Sequence, residues 1–279
     1  MNRQLLNGMI LMVGLIVLAL GVPILLGYNP DKIDLPSRLK PPFFAGGSFE
    51  HLFGTDQLGR DVFIRALYAG RVSLVIGWVA STLSALLGSL LGMFAGYFGG
   101  RRGMLIIRLT DIQQVFPFIV FAIAIVAVAG AGLVPLLVAL TLGSWYTYAR
   151  IAYGETRVIK QREFVESARA VGATSTRILG MHLLPNILPP LIVLYSFNIA
   201  SAIIAESSLS FLGLGVPPGV PSWGSMISDG RGFIETAWWL SAMPGVLLFA
   251  AVLAANLLGD GLRAGLDPRT RQRKHLQRG

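Results

Sequence analysis

Long apolar runs alternate with short polar stretches along this chain, on a scale well beyond a single helix turn. Six runs, at about 5–27, 72–98, 115–131, 133–149, 188–212 and 239–260, come near the roughly 20 apolar residues (range about 17–25) that a bilayer-crossing helix needs. The third and fourth are separated only by Gly130-Ala131-Gly132. Together they cover about 35 residues, or about 52 Å at 1.5 Å per residue, which is too long for one span. Two short spans joined by a tight turn are predicted instead. The first run is longer than a secretory leader and lacks a small-residue cleavage site, so it reads as a retained helix. The pattern predicts an all-α, polytopic membrane bundle of six transmembrane helices. An N-terminal helix with an external segment would occupy 1–71, a five-helix core 72–269, and a basic tail 270–279.

Two polar stretches break the pattern. In "EFVESARAVGATSTRILGMHLLP" (163–185), Phe164, Ala168 and Val171 recur at helical spacing among Glu163, Glu166 and Arg169. Gly172 stands where a helix would end in a left-handed residue, and Thr174 or Ser175 can cap a second short helix. That helix carries Ile178, Leu179 and His182 or Leu183, and Pro185 disfavours helical geometry at Leu184, predicting a stop. An exposed amphipathic element must bury its apolar face on lipid, on its own bundle or on a partner. In the second stretch, His51 to Arg71, Asp56 or Thr55 can cap a helix whose Leu58, Val62 and Ala66 form one face.

Composition agrees with the spans. Hydrophobic residues make up 54% and charged residues 13%, against about a quarter charged in soluble domains. The net charge of +9 is distributed asymmetrically. With the N-terminus cytoplasmic, 16 of the 23 basic residues fall inside. The other seven lie outside, offset by Asp31, Asp34, Glu50, Asp56, Asp61, Asp229 and Glu235. The positive-inside rule then places both termini in the cytoplasm. The tail "RTRQRKHLQRG" reads as an anchor near anionic lipid, not as a nucleic-acid contact. The absence of cysteine excludes disulfides, thiolate metal sites and cysteine nucleophiles.

Few residues offer chemistry. Glu206 is the one acid well inside an expected span, with Asn198, Ser201, Ser207 and Ser208 on the same segment. It reads either as a pathway residue, with Asn198, or as a structural acid satisfied by its neighbours. Asp111 and Asp260 sit at cytoplasmic span ends, where Arg108 and Arg263 can pair with them. His51, His182 and His275 have no metal-ligand spacing. A phosphate-cradling loop needs Gly-Lys-Ser/Thr, and none of Lys32, Lys40, Lys160 or Lys274 follows a glycine. The chain is therefore expected to bind no cofactor or metal and to have no catalytic residues.

Glu166-Ser167-Ala168, Gly172 and Leu184-Pro185 resemble the EAA loop of bacterial ABC importer permeases, with Ser167 in place of the usual second alanine and His182 in place of an isoleucine. Three further blocks, "HLFGTDQLGRDVFIRALYAGRVSL" (51–74), "AESSLSFLGLGVPPGVPSWGSMISDGR" (205–231) and "NLLGDGLRAGLDPR" (256–269), resemble the second permease of dipeptide, oligopeptide and nickel importers. The resemblance implies a non-catalytic subunit in the bacterial cytoplasmic (inner) membrane, forming half of a pathway for di- and oligopeptides. It implies a sister permease, two ATPase subunits that hold ATP and Mg, and an external solute-binding protein. Glu166, Ser167, Ala168, Gly172, Ile178, His182, Leu184 and Pro185 would form the ATPase-docking loop, with Ile178 and His182 on its contact face. Asp56, Arg60 and Asp61 are candidates for external docking, the alternative being a helix stabilised by its own charges. Nickel or nickel-chelate import is the alternative substrate reading. A membrane-embedded enzyme using Glu206, Asp111 or Asp260 would need two acids converging at one depth, and a secondary transporter would need inverted repeats and intramembrane charges.

Overall fold

The computed structural model describes residues 3–25 and 32–266, and the basic tail lies outside the described residues. Apart from the largely irregular segments 32–61 and 212–222 and short turns, the described chain is helical: α1 (Arg3–Leu25), α2 (Val62–Phe98), α3 (Gly100–Val115), α4 (Phe118–Ala129), α5 (Leu133–Ile159), α6 (Glu163–Ala170), α7 (Ser175–Arg177), α8 (Leu184–Phe211), α9 (Trp223–Gly230) and α10 (Trp239–Leu266). No β-strand occurs among the described residues.

Four helical runs are singly long and apolar enough to cross a membrane: α1, α2, the run from Ser175 to Phe211, and α10. The expected third span is different. It is shortened to the 12-residue α4, the polar stretch before it forms α3 at 98° to α4, and the two count as a fifth span only if taken together. Pro117 causes the break, because it drives Phe116 out of helical geometry to φ −80°, ψ 126°. The expected fourth span becomes α5, 27 residues long, whose second half carries Arg150, Glu155 and Arg157 and fails the apolarity measure. By length and apolarity, then, the described residues give four or five spans where the pattern predicted six.

α2 begins ten residues earlier than the apolar run suggested. The separate external helix expected after Asp56 or Thr55 is the first part of α2, and its cap is Asp61, whose side chain accepts from the Ile64 N–H.

The bundle centres on the α2–α5 pair. Ser84, Gly88, Gly92 and Gly96 recur every four residues and so share one face of α2. A Cβ on Gly88 or Gly92 would come within 2.1 Å of the carbonyl oxygens of Trp145 and Ala149 respectively, so the two backbones touch. Small-residue stripes of this kind allow helix association in lipid, where no hydrophobic effect drives it. The Ser84 hydroxyl donates to the Thr141 carbonyl across the same seam, at 3.0 Å. α8 and α10 pack alongside, and α1 lies on α10, where Gly8 and Gly261 admit close approach to Leu258 and Leu5.

One end of the bundle is closed by residues 32–61 and 213–238. Trp223 Nε1 donates to the Ala66 carbonyl at 2.9 Å, and Trp239 Nε1 donates to the Thr55 carbonyl at 3.1 Å. The other end carries the charged elbow 160–183.

Candidate functional site

The elbow leaves α5 at Lys160 and returns to the bundle at Leu184. α6 buries one side chain, Val165, which is fully inaccessible. It ends at Val171, and Gly172 follows with φ +82°. Two backbone bonds complete this stop: Ala173 N–H to the Ala168 carbonyl at 3.0 Å, and Gly172 N–H to the Arg169 carbonyl at 2.9 Å. These are the paired bonds of a Schellman motif, which satisfies the last carbonyls of a helix through a left-handed residue. Thr174 then caps α7, accepting from the Arg177 N–H at 3.4 Å.

The expected proline stop is absent. Ile178–Leu183 forms a turn of π-helix that runs straight into α8, with Pro185 in its first turn. The Leu184 N–H reaches back five residues to the Leu179 carbonyl. Asn186 Nδ2 donates to the His182 carbonyl at 2.7 Å. Proline is tolerated where the first turn of a helix needs no donor, and the wider turn accommodates the ring, so elbow and span are one continuous helical piece.

Ile178 also differs from expectation. It is 1% exposed and packs with Val165, Leu183, Ile187, Met93 and Tyr148 in the bundle's own core. It anchors the elbow and cannot form an outward contact face. His182 is half-buried, its ring 6.3 Å from that of Phe164. The apolar side chains that do face outward are Val171 (85% exposed), Met181 (66%) and Phe164 (42%). Around them Glu163, Glu166, Ser167, Arg177 and Pro185 are exposed, while Ala168 and Leu184 are half-buried.

Two residues that sequence reasoning missed brace the elbow. Lys160 Nζ donates to the carbonyls of Gly96 (2.8 Å) and Tyr97 (3.3 Å) at the end of α2, where the helix dipole favours a cation. Tyr97 is contacted by the Arg169 guanidinium, 5.3 Å above its ring, and its hydroxyl donates to Ser175 Oγ at 3.3 Å. The sequence signal was slight: a tyrosine and a lysine at the ends of two apolar runs.

The charged block around Asp56 turns inward. The Asp56 carboxylate accepts from the N–H groups of Leu58 (2.8 Å) and Arg60 (3.0 Å) and from Arg60 Nε (2.6 Å). Asp61 caps α2 and meets His51 Nδ1 at 3.1 Å. Asp56 and Asp61 are 5% and 6% exposed, and the Arg60 side chain 12%. These three docking candidates form a knot that holds the start of α2, the arrangement of the alternative in which the helix is stabilised by its own charges. Beside them, Asp229 has its pKa raised by burial, against the opposing pull of Arg65 and Arg60.

Glu206 is fully buried and accepts from Ser210 Oγ (2.7 Å) and Ser207 Oγ (3.2 Å), so its carboxylate is satisfied by its neighbours on α8. Asn198 is elsewhere. It lines a recess of about 320 Å³ among α4, α5 and α8 together with Ser144, Tyr146, Thr147 and Ser201, with no charged side chain in its wall. Its Oδ1 is buried there without a hydrogen-bond partner. No two of the acids named for an intramembrane enzyme are paired with each other among the described residues: Asp111 Oδ1 is 3.5 Å from Arg150, not paired with Arg108, and Asp260 is exposed near the end of α10.

Residues 88–272 match the family described as binding-protein-dependent transport system inner membrane component. The chain is 39% identical over 269 residues to a di/tripeptide transport system permease protein of Pseudomonas aeruginosa, covering 96% of this chain and 89% of that one. It is 46% identical over 224 residues to a glutathione transport system permease protein of Salmonella typhimurium, covering 80% and 74%. An inward-facing structure of the MetNI methionine ABC transporter superposes with a TM-score of 0.57 at 19% identity, covering 73% of this chain and 96% of that one.

Proposed function

Because this chain belongs to the binding-protein-dependent transport system inner membrane component family, we propose that it forms half of the passage of an ATP-driven importer for small peptides. It is a multi-pass membrane permease subunit of the ABC importer type. Its relatives carry peptide and glutathione names, which favour peptides over nickel or a nickel chelate.

The observation that carries the mechanism is the braced elbow. Its outward face presents Val171, Met181 and Phe164 among exposed Glu163, Glu166 and Arg177. Its inward face is tied to α2 through Lys160, Arg169 and Ser175, and to α8 through an unbroken helix. Such an element suits a soluble partner that pushes on it, because force applied there reaches three helices at once. ATP and Mg would be held by two partner ATPases, and none by this chain. Their closure would rock the bundle against that of a sister permease, so that access to the passage alternates between faces. An external binding protein would deliver the peptide. Asn198 and the hydroxyls beside it would then line this chain's share of the route. In this reading the elbow and both termini face the cytoplasm.

The test is reconstitution of the chain with its sister permease, ATPases and binding protein in proteoliposomes, following labelled dipeptide uptake. Uptake should require ATP and stop when the ATPases are omitted. ATP-independent uptake, or ATP-driven uptake of nickel but not of peptides, would overturn the proposal. Since the chain lacks cysteine, single cysteines at exposed Ser48 and Thr176 should label from opposite faces of intact cells, Ser48 from outside.

A further inference from the structure

We infer that the cleft between the α2–α3 corner and α5 binds the phosphodiester of an anionic phospholipid. The cleft holds about 480 Å³, within the roughly 300–1,000 Å³ of small-molecule sites. Its wall combines Arg108, Arg157 and Lys160 with a floor of Gly96, Gly99, Gly100 and Gly103. One acid, Asp111, also lines it, and that carboxylate is engaged by Arg150 from outside the cleft. Lys160 rests on the α2 carbonyls and Arg157 on the ring and hydroxyl of Tyr153. Arg108 has no side-chain partner among the described residues. Among the described residues the cleft therefore presents three cations against one acid that is already engaged by Arg150.

The surroundings select lipid over a soluble anion. Met104 and Ile107 line the same cleft as the cations, a mixed wall that suits a phosphate joined to hydrocarbon. α3 exposes Met104 (63%), Leu105 (63%), Leu109 (48%) and Ile112 (58%), and carries exposed Arg101 and Arg102 in its first turn. It is bent by 98° from α4, so the two cannot both run along the membrane normal. An apolar stripe beside basic residues is the composition of a helix lying at the headgroup boundary. Basic pockets between helices at the cytoplasmic leaflet accept anionic headgroups. The choice of leaflet rests on the proposed orientation; the phosphate chemistry does not.

The test uses the whole transporter purified from nanodiscs containing equal phosphatidylglycerol and phosphatidylcholine, with retained lipid counted by mass spectrometry after detergent washing. The parent should keep phosphatidylglycerol in several-fold preference, and 10 mM inorganic phosphate should not displace it. Arg108→Gln with Arg157→Gln should abolish the preference, and Arg108→Lys with Arg157→Lys should restore most of it in a complex of unchanged size. Equal retention by the glutamine variant would overturn the inference, as would displacement by free phosphate, which marks a soluble-anion site. Loss of the ATPases from the glutamine variant with lipid preference intact would also overturn it, marking a protein-docking surface. Lipid retention is read without transport, so a failure of peptide uptake leaves this result independent.

Discussion

The knot at 51–65 and the elbow at 160–183 look alike as sequence: each is a charged stretch beside an apolar run. In the structure they are opposites. The knot turns Asp56, Arg60 and Asp61 toward one another and toward backbone N–H groups, leaving little charge to meet a partner. The elbow turns Val165 and Ile178 inward and leaves Glu163, Glu166 and Arg177 exposed. Charge density alone does not say whether charges hold a fold together or wait for a partner. What separates the two is local geometry. An aspartate four residues before an arginine, next to a helix start, finds its acceptors satisfied at home; acids along an eight-residue helix anchored by one valine do not.

The contrast can be tested by stability and transport together. Asp56→Ala should be the most damaging change, since it strands the Arg60 guanidinium and two N–H groups; breaking a buried pair from one side costs about 3–5 kcal/mol. It should appear as poor folded yield and a lower unfolding temperature in nanodiscs. A variant that melts like the parent but loses stimulation by the binding protein would return the knot to a docking role. Gly92→Leu should follow, at about 1–3 kcal/mol for overpacking a backbone contact, read by the same melting curve.

Gly172→Ala should cost about 1 kcal/mol from its positive φ alone, because no atom lies within 4 Å of the added Cβ. A matching fall in ATP-coupled uptake would tie the corner to transmission, and full uptake despite the lost stability would not. Asp229 offers a smaller effect. Its raised pKa means that the protonated form is favoured in the fold. Its stabilising contribution is present below the ordinary aspartate range and is lost as pH rises through the raised value. Asp229→Asn should flatten that part of a pH-dependent melting profile. Glu166→Lys should change stability least, within about 0.5 kcal/mol, while uptake and ATPase co-purification fall. If uptake and co-purification both match the parent, the elbow is a surface helix and nothing more.

Much of this was legible beforehand. Apolar run lengths placed α1, α8 and α10 closely, and the Gly172 corner with its Thr174 cap followed from turn chemistry alone. The misses share a cause: each depends on what lies across from a residue. The kink at Pro117 shortened an apolar run that looked continuous, and a π-turn carried the chain through Pro185 where a stop was expected. The loop's resemblance to its family places Ile178 on the contact face, yet Met93 of α2 and Tyr148 of α5 share a core cluster with it. Tyr97 and Lys160 are 63 positions apart and gave no joint signal, though their bond at 3.3 Å helps fix the elbow.

The stripe of Ser84, Gly88, Gly92 and Gly96 has a consequence for how this gene can change. Each residue turns an α-helix by about 100°, so one residue inserted between Ser84 and Gly96 rotates every later position away from the seam. Leu91 would then be swung toward the Ala149 carbonyl, which sits 2.1 Å from where even a methyl would stand, and a one-residue deletion would bring Met93 there instead. Substitutions on the lipid-facing side of α2 leave this untouched. In this segment length is therefore held more tightly than composition: a library of single-codon insertions and deletions should be depleted across 84–96, while hydrophobic exchanges at exposed Leu86, Leu87 and Leu90 pass freely.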